Sequence, residues 1–118
     1  MGNNKKLARR KFKDDTFDRD GYCCAWCGAG PFDNPDSDFD AHHITDRNEM
    51  PNGGYVMENG ITLCKIGEDG EEASSCHMKA EKFHITGGEF WEDKMHPDDL
   101  YILIGSSKEL AIEASEKL

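Results

Sequence analysis

Four cysteines and a histidine, spaced as Cys24-Ala25-Trp26-Cys27, Cys64 and Cys76-His77, constrain this chain more than any hydrophobic pattern in it. Two thiols separated by two residues form a knuckle that offers both sulfurs to one tetrahedral ion, and Cys64 with Cys76 can supply the other half of a structural zinc site. Eleven residues part Cys64 from Cys76; they are polar, and lengthening such a loop costs little entropy. Cys23 brings the total to five. An odd count, behind a first stretch 1–13 with no apolar centre like that of a secretory leader, argues against a disulfide framework and leaves Cys23 as a partly buried thiol. With 118 residues, 36% apolar and 32% charged, one domain spanning 1–118 is the natural count. Its core is small enough for a structural metal to help hold it.

The net charge of −10 argues against holding nucleic acid by bulk attraction alone. The charge is uneven, however. Residues 1–13 carry Lys5, Lys6, Arg9, Arg10, Lys11 and Lys13 and no acid, so eight basic residues face all 24 acidic ones in the remainder. That basic arm either tracks phosphates or is a solvated helix end. No apolar run approaches the roughly 20 residues that span a bilayer, and a cytoplasmic protein with no membrane partner is expected.

Residues 4–18 read as a helix with Leu7, Phe12 and Phe17 to pack, ended by Asp20-Gly21. Gly28 to Asp38, punctuated by Gly30, Pro31, Asn34 and Pro35, reads as a loop. Phe39 to Ile44 reads as a strand and Gly60 to Cys64 as its return; Thr45 to Glu58, with Pro51 and Gly53-Gly54, is an ordered surface loop between them. Ser74 or Ser75 can cap a helix from Cys76 to Phe83. Pro97 to Ile104 is a short helix opened by proline, and Ser106-Ser107-Lys108-Glu109 is a capping box for a last helix to Lys117. Leu100, Ile104, Leu110 and Ile112 are packing residues, and His84 and His96 are read as structural.

The order of these motifs resembles the HNH endonuclease family: an arginine, a turn and an aromatic residue (Arg19, Gly21, Tyr22) before a CxxC, then His42-His43-Ile44, Gly53-Gly54, Asn59-Gly60-Ile61-Thr62-Leu63-Cys64 and Cys76-His77. The resemblance implies an α+β fold: a small ββα-metal core, 19–84, with a structural zinc knuckle, flanked by a basic N-terminal helix, 1–18, and a C-terminal helical region, 85–118. It implies that Tyr22 and Trp26 pack near the zinc held by Cys24, Cys27, Cys64 and Cys76. One departure is that the second half of the zinc site is usually another CxxC.

Neighbouring strand residues point to opposite faces, so His42 and His43 are placed for two different jobs. By resemblance His42 and His77 bind a catalytic divalent ion and His43 is the general base, a role that a neutral imidazole fills near pH 7. Glu81, one helical turn past His77, is either a third ligand or a solvated carboxylate. Asn59 matches the family's asparagine and can pin the long loop, although Asn-Gly is also a plain turn former. Arg47 is a phosphate contact or a surface charge. The activity implied is metal-dependent hydrolysis of DNA phosphodiesters to 5′ phosphate and 3′ hydroxyl, with Mg or Mn as the default ion and Ni or Zn accepted by a His-rich site. The partner is DNA, and small phage members of the family add packaging proteins as a class. A zinc-stabilised adaptor that binds nucleic acid without cutting it is the alternative.

Overall fold

The structure, a computed structural model, describes residues 2–31, 35–67 and 69–118. It is a small α+β fold in which four helices surround a two-stranded antiparallel sheet. Helix α1 (Gly2–Arg19) lays Phe12, Thr16 and Phe17, all buried, against the sheet. Leu7, expected to pack, is 68% exposed. At about 100° per residue it points away from the face that spans Phe12 to Phe17. Past Arg19 the chain reverses at Gly21, whose φ of +67° suits glycine, and the Tyr22 amide closes the turn on the Phe17 carbonyl at 3.0 Å.

Asp20 does more than end this helix. Its carboxylate accepts the Arg19 Nε at 2.9 Å and the Thr62 amide at 2.9 Å, while the Arg19 guanidinium donates to the carbonyls of Met57 and Gly60 at 2.6 and 2.7 Å. The end of α1 is thereby bolted to the start of the second strand.

Strands β1 (Phe39–His43) and β2 (Gly60–Cys64) pair with Phe39 opposite Cys64 and His43 opposite Gly60. Every residue of β2 is buried. Gly60 is required there by close approach: a Cβ would lie 2.5 Å from Thr16 Oγ1 and 2.6 Å from Phe12 Cε1. Between Gly28 and β1, expected as loop throughout, Pro35–Asp38 makes one helical turn.

The connection from β1 to β2 is more regular than an open loop. Three 3-10 turns, Arg47–Glu49, Pro51–Gly54 and Met57–Asn59, fold it down so that Met50, Gly54 and Asn59 are buried. Helix α2 (Cys76–Ile85) follows, with Ser75 as its cap accepting the Met78 amide at 3.1 Å and Ala80 facing the sheet. In α3 (Pro97–Leu103) the cap is His96, whose Nδ1 accepts the Asp98 amide at 3.1 Å.

Helix α4 (Lys108–Glu116) starts one residue later than the capping box requires. Ser107 accepts the Leu110 amide, and Ser106 Oγ instead donates to the Glu58 carbonyl at 2.9 Å. This register turns Ala111 and Ser115 inward against the loop, where Asn52 Nδ2 donates to the Ser115 carbonyl at 3.0 Å, and leaves Leu110 51% exposed. The buried apolar residues of α1, both strands, α2, α3 and α4 form one cluster. Among the described residues no helix is long and apolar enough to cross a membrane.

Candidate functional site

Two sets of ligand-type side chains converge on this frame, one on each side of the Cys76–His77 peptide that opens α2. The first is Cys24, Cys27, Cys64 and Cys76, whose sulfurs all lie within 4.8 Å of one another. Cys24 and Cys27 come from the turn after α1, held by the Cys24 amide on the Ala29 carbonyl at 2.8 Å and by the Ala25 amide on the Thr62 carbonyl of β2 at 2.8 Å. Cys64 closes β2 and Cys76 opens α2. The long segment between them folds on itself, with the Gly67 amide on the Glu71 carbonyl at 2.8 Å, so its length does not keep the two thiols apart.

A zinc ion with sulfurs at about 2.3 Å in a tetrahedron sets its ligands about 3.8 Å apart; Cys27 and Cys64 Sγ are 4.0 Å apart. The amides of Cys27 and Cys76 point at the sulfurs of Cys24 and Cys64, at 3.5 and 3.4 Å. A bond from the Cys76 thiol draws Cys24 down to about 5 and pushes Cys76 up in turn. Four such thiols can hold a metal such as zinc. Cys23 takes no part: half-buried, it donates to the Gly21 carbonyl at 3.4 Å. Tyr22, expected beside the metal, has a φ of +58° and is 39% exposed.

The second set lies where β1 meets α2. His42 and His43 point to opposite faces, as strand alternation requires. The buried His42 ring faces α2, 5.5 Å from the His77 ring and stacked at 5.2 Å on His84; the His43 ring faces α1 and the loop, 4.6 Å from Phe12 and 4.8 Å from Tyr55. His42 Nδ1 is 3.1 Å from Glu81 Oε1, and His77 Nε2 is 3.4 Å from the same oxygen and 3.1 Å from Asp40 Oδ2.

Those separations fit ligands of one ion, since donors at about 2.1 Å in an octahedron stand about 3.0 Å apart. His42 Nδ1 is buried and close to Glu81, yet it makes no aligned hydrogen bond. Glu81 is thus brought to His42 and His77, and Asp40 stands at its edge.

The charge balance favours a cation. The ring nitrogens of His42 and then of His77, 3.1 and 3.4 Å from its Oε1, hold the Glu81 carboxyl well below the usual range. Burial keeps His42 neutral, the form that binds metal. Burial also opposes charging of His77, but Glu81 and Asp40 outweigh it and raise its pKa.

His43 is uncharged at neutral pH for a simpler reason: burial pushes it down to about 4. Its Nε2 has no hydrogen-bond partner. His84 Nε2 donates to the His43 carbonyl at 2.9 Å, which ties the His43 backbone to α2. His42, His43, His77, Glu81, Arg9 and Arg47 all line a cleft of about 380 Å³.

Asn59 does not enter that cleft. It is fully buried behind it, accepting the Thr45 amide at 2.9 Å and the Tyr101 hydroxyl at 2.7 Å, and donating to the carbonyls of Thr45 at 3.0 Å and Gly54 at 3.2 Å. Every hydrogen-bonding position of the amide is used, and the loop is pinned two residues beyond His43. Asn59→Ala strands the Thr45 amide and carbonyl in the interior. At about 1–3 kcal/mol for each buried group left unpaired, a loss of about 3 kcal/mol is expected in urea denaturation; a loss below about 1 kcal/mol would remove Asn59 from this role.

Sequence reasoning passed over Asp40, Tyr55 and Tyr101. Asp40 was within reach, since it sits two residues before His42 on the same strand face. No match is found for the chain among known protein families, curated proteins or solved structures.

Proposed function

We propose that this protein is a metal-dependent DNA endonuclease of the HNH type, with a ββα-metal centre formed by β1, β2 and α2 and a separate structural zinc at the four cysteines. The observation that carries the reading is the convergence of His42 Nδ1, His77 Nε2 and Glu81 Oε1 beside the neutral, unpartnered imidazole of His43. Two histidines and a carboxylate suit Mn, Ni or Zn as well as Mg, so the donor set leaves the choice of ion open. A divalent ion bound there supplies positive charge against the developing charge on the phosphorus oxygens and the departing 3′ oxygen.

The chain's own side chains do the rest. His43 takes the proton from the attacking water. Its depressed pKa means that it is always free to accept, and an anionic phosphodiester arriving alongside raises its proton affinity at the moment of use. Phe12 and Tyr55 hold its ring on two sides, and Asn59 and His84 fix the backbone on which it stands. Arg9, Lys13 and Arg47 line the same cleft and offset the acidic body where an anion must approach.

The test is incubation of the purified protein with supercoiled plasmid and Mg, Mn, Ni or Zn in turn. Nicking with at least one ion, abolished by a chelator, is expected. Binding without nicking in any of them would instead make the protein a zinc-stabilised adaptor.

A further inference from the structure

One group around the cleft is not accounted for by the metal centre or the base. Tyr55 stands on the loop between the strands, with its ring edge-on to His43 at 4.8 Å and to Phe12 at 5.8 Å. The Arg9 guanidinium carbon lies 5.5 Å from its ring centre, and Arg47 beside it lines the same cleft; the two side chains together lower the pKa of its hydroxyl. Two cations from distant parts of the chain are therefore gathered at one phenol.

The surroundings give this a direction. Arg9, Arg47 and Tyr55 line the cleft of the histidines and also a second cleft of about 550 Å³, so they form the ridge between the two. The other lining residues of the second cleft include Lys5 and Asn52, and no Asp or Glu side chain is among them. On the other side of α1 the pattern differs: Arg10 and Lys11 are paired with Asp14 and Asp15 at 2.9 and 2.6 Å.

We propose that Arg9, Arg47 and Tyr55 form a second phosphate seat, holding the phosphodiester next to the one that is cut, so that the substrate strand runs from the histidine cleft over this ridge into the basic cleft. The proposal rests on the nuclease reading of the first cleft. A guanidinium has five N–H donors in a fork, so each arginine can hold the phenol with one and a phosphate oxygen with others. The phenol keeps its own O–H to donate. Partial burial would raise the Tyr55 pKa, but the two arginines outweigh it and lower it, which makes that O–H a better donor. The seat also explains why the tyrosine touches His43: the group that grips the strand and the group that takes the proton are in van der Waals register, so the strand's position is set relative to the base. Successive phosphates on one strand of a duplex are spaced about 3.4 Å along the axis, so a strand crossing the ridge presents its next phosphate close beyond the first.

The test compares Arg9→Ala, Arg47→Ala and Tyr55→Phe with the parent protein. Each is assayed on a labelled duplex oligonucleotide and on bis(4-nitrophenyl) phosphate, a diester with a single phosphate and no neighbour. The ratio of kcat/KM for duplex over the small diester should fall by about tenfold or more for each arginine variant, and less for Tyr55→Phe, as expected from losing a charged hydrogen bond. In parallel, duplex binding without divalent ion, read by fluorescence anisotropy across salt concentration, should lose about one unit of log–log slope per arginine removed. An unchanged ratio, or an unchanged slope, overturns the seat. Duplex binding that loses slope as expected, in a protein that cuts neither substrate with any ion, would leave the seat and overturn the nuclease reading.

Discussion

Replacing His43 with alanine should lower the rate of DNA nicking by on the order of a hundredfold or more while leaving divalent-ion affinity intact. The expectation follows from where the two adjacent imidazoles point. His43 faces Phe12 and Tyr55, and none of the three convergent donor atoms belongs to it. Removing it takes away the proton acceptor only. His42→Ala and His77→Ala act on the other side of the strand, where each loses one donor atom of three. Ion affinity should then fall, and raising the ion concentration should restore part of the cutting. Calorimetric titration with manganese beside single-turnover nicking rates separates the two effects. Loss of the ion in the His43 variant with retention in the His42 variant would reverse the assignment.

Loss of a zinc thiolate should be the larger structural blow. A structural zinc contributes about 10–16 kcal/mol of binding free energy to small domains, while whole domains are stable by about 5–15 kcal/mol. The comparison decides the outcome: Cys24→Ser or Cys64→Ser should leave a chain that is largely unfolded, or nearly so, at 37 °C. Both residues are buried and tie the end of α1 and the end of β2 to the opening of α2, so the His77 and Glu81 side chains lose their placement along with the metal. Cys23→Ser is the internal control, since that thiol stands outside the four-cysteine set and donates to the Gly21 carbonyl, and its melting temperature should stay near that of the parent. Metal analysis of the folded parent should find one tightly held zinc per chain. A folded parent without zinc, or a Cys24→Ser protein that melts like the parent, would end the four-cysteine reading.

The parts of this fold that were legible in the sequence are those whose cause is local. The run from Gly60 to Cys64 is bounded by a turn glycine and lies wholly in β2, and Ser75 caps the helix it precedes. Where partners lie far along the chain, the pattern gave no warning. Asp20 looks like a helix stop, yet its carboxylate accepts the amide of Thr62, 42 residues on. Tyr101 looks like one more apolar residue of a short helix, yet its hydroxyl completes Asn59. Arg9, Arg47 and Tyr55 line the same two clefts, and no spacing rule connects those three positions. The capping box at Ser106 failed for a related reason. Tertiary packing of Ala111 and Ser115 against the loop shifts the helix start to Ser107, a cost that the local preference of Glu109 does not offset.

At the candidate site, the zinc knuckle could be read because CxxC is itself a local geometry, while convergence of Cys76 depended on how the intervening segment folds. Glu81 could be placed on the His77 face by helical spacing. That it also meets His42 could not, because the sequence does not say how closely α2 approaches β1.

The most direct measurement of the central claim is the chemistry of the cut ends. Plasmid nicked by the protein in manganese, freed of protein and metal and then treated with DNA ligase, should reseal, because hydrolysis with His43 as base leaves a 5′ phosphate and a 3′ hydroxyl. The His43→Ala protein should give little nicked plasmid under the same conditions. Nicks that ligase cannot close, or a His43→Ala protein that nicks as fast as the parent, would contradict the account.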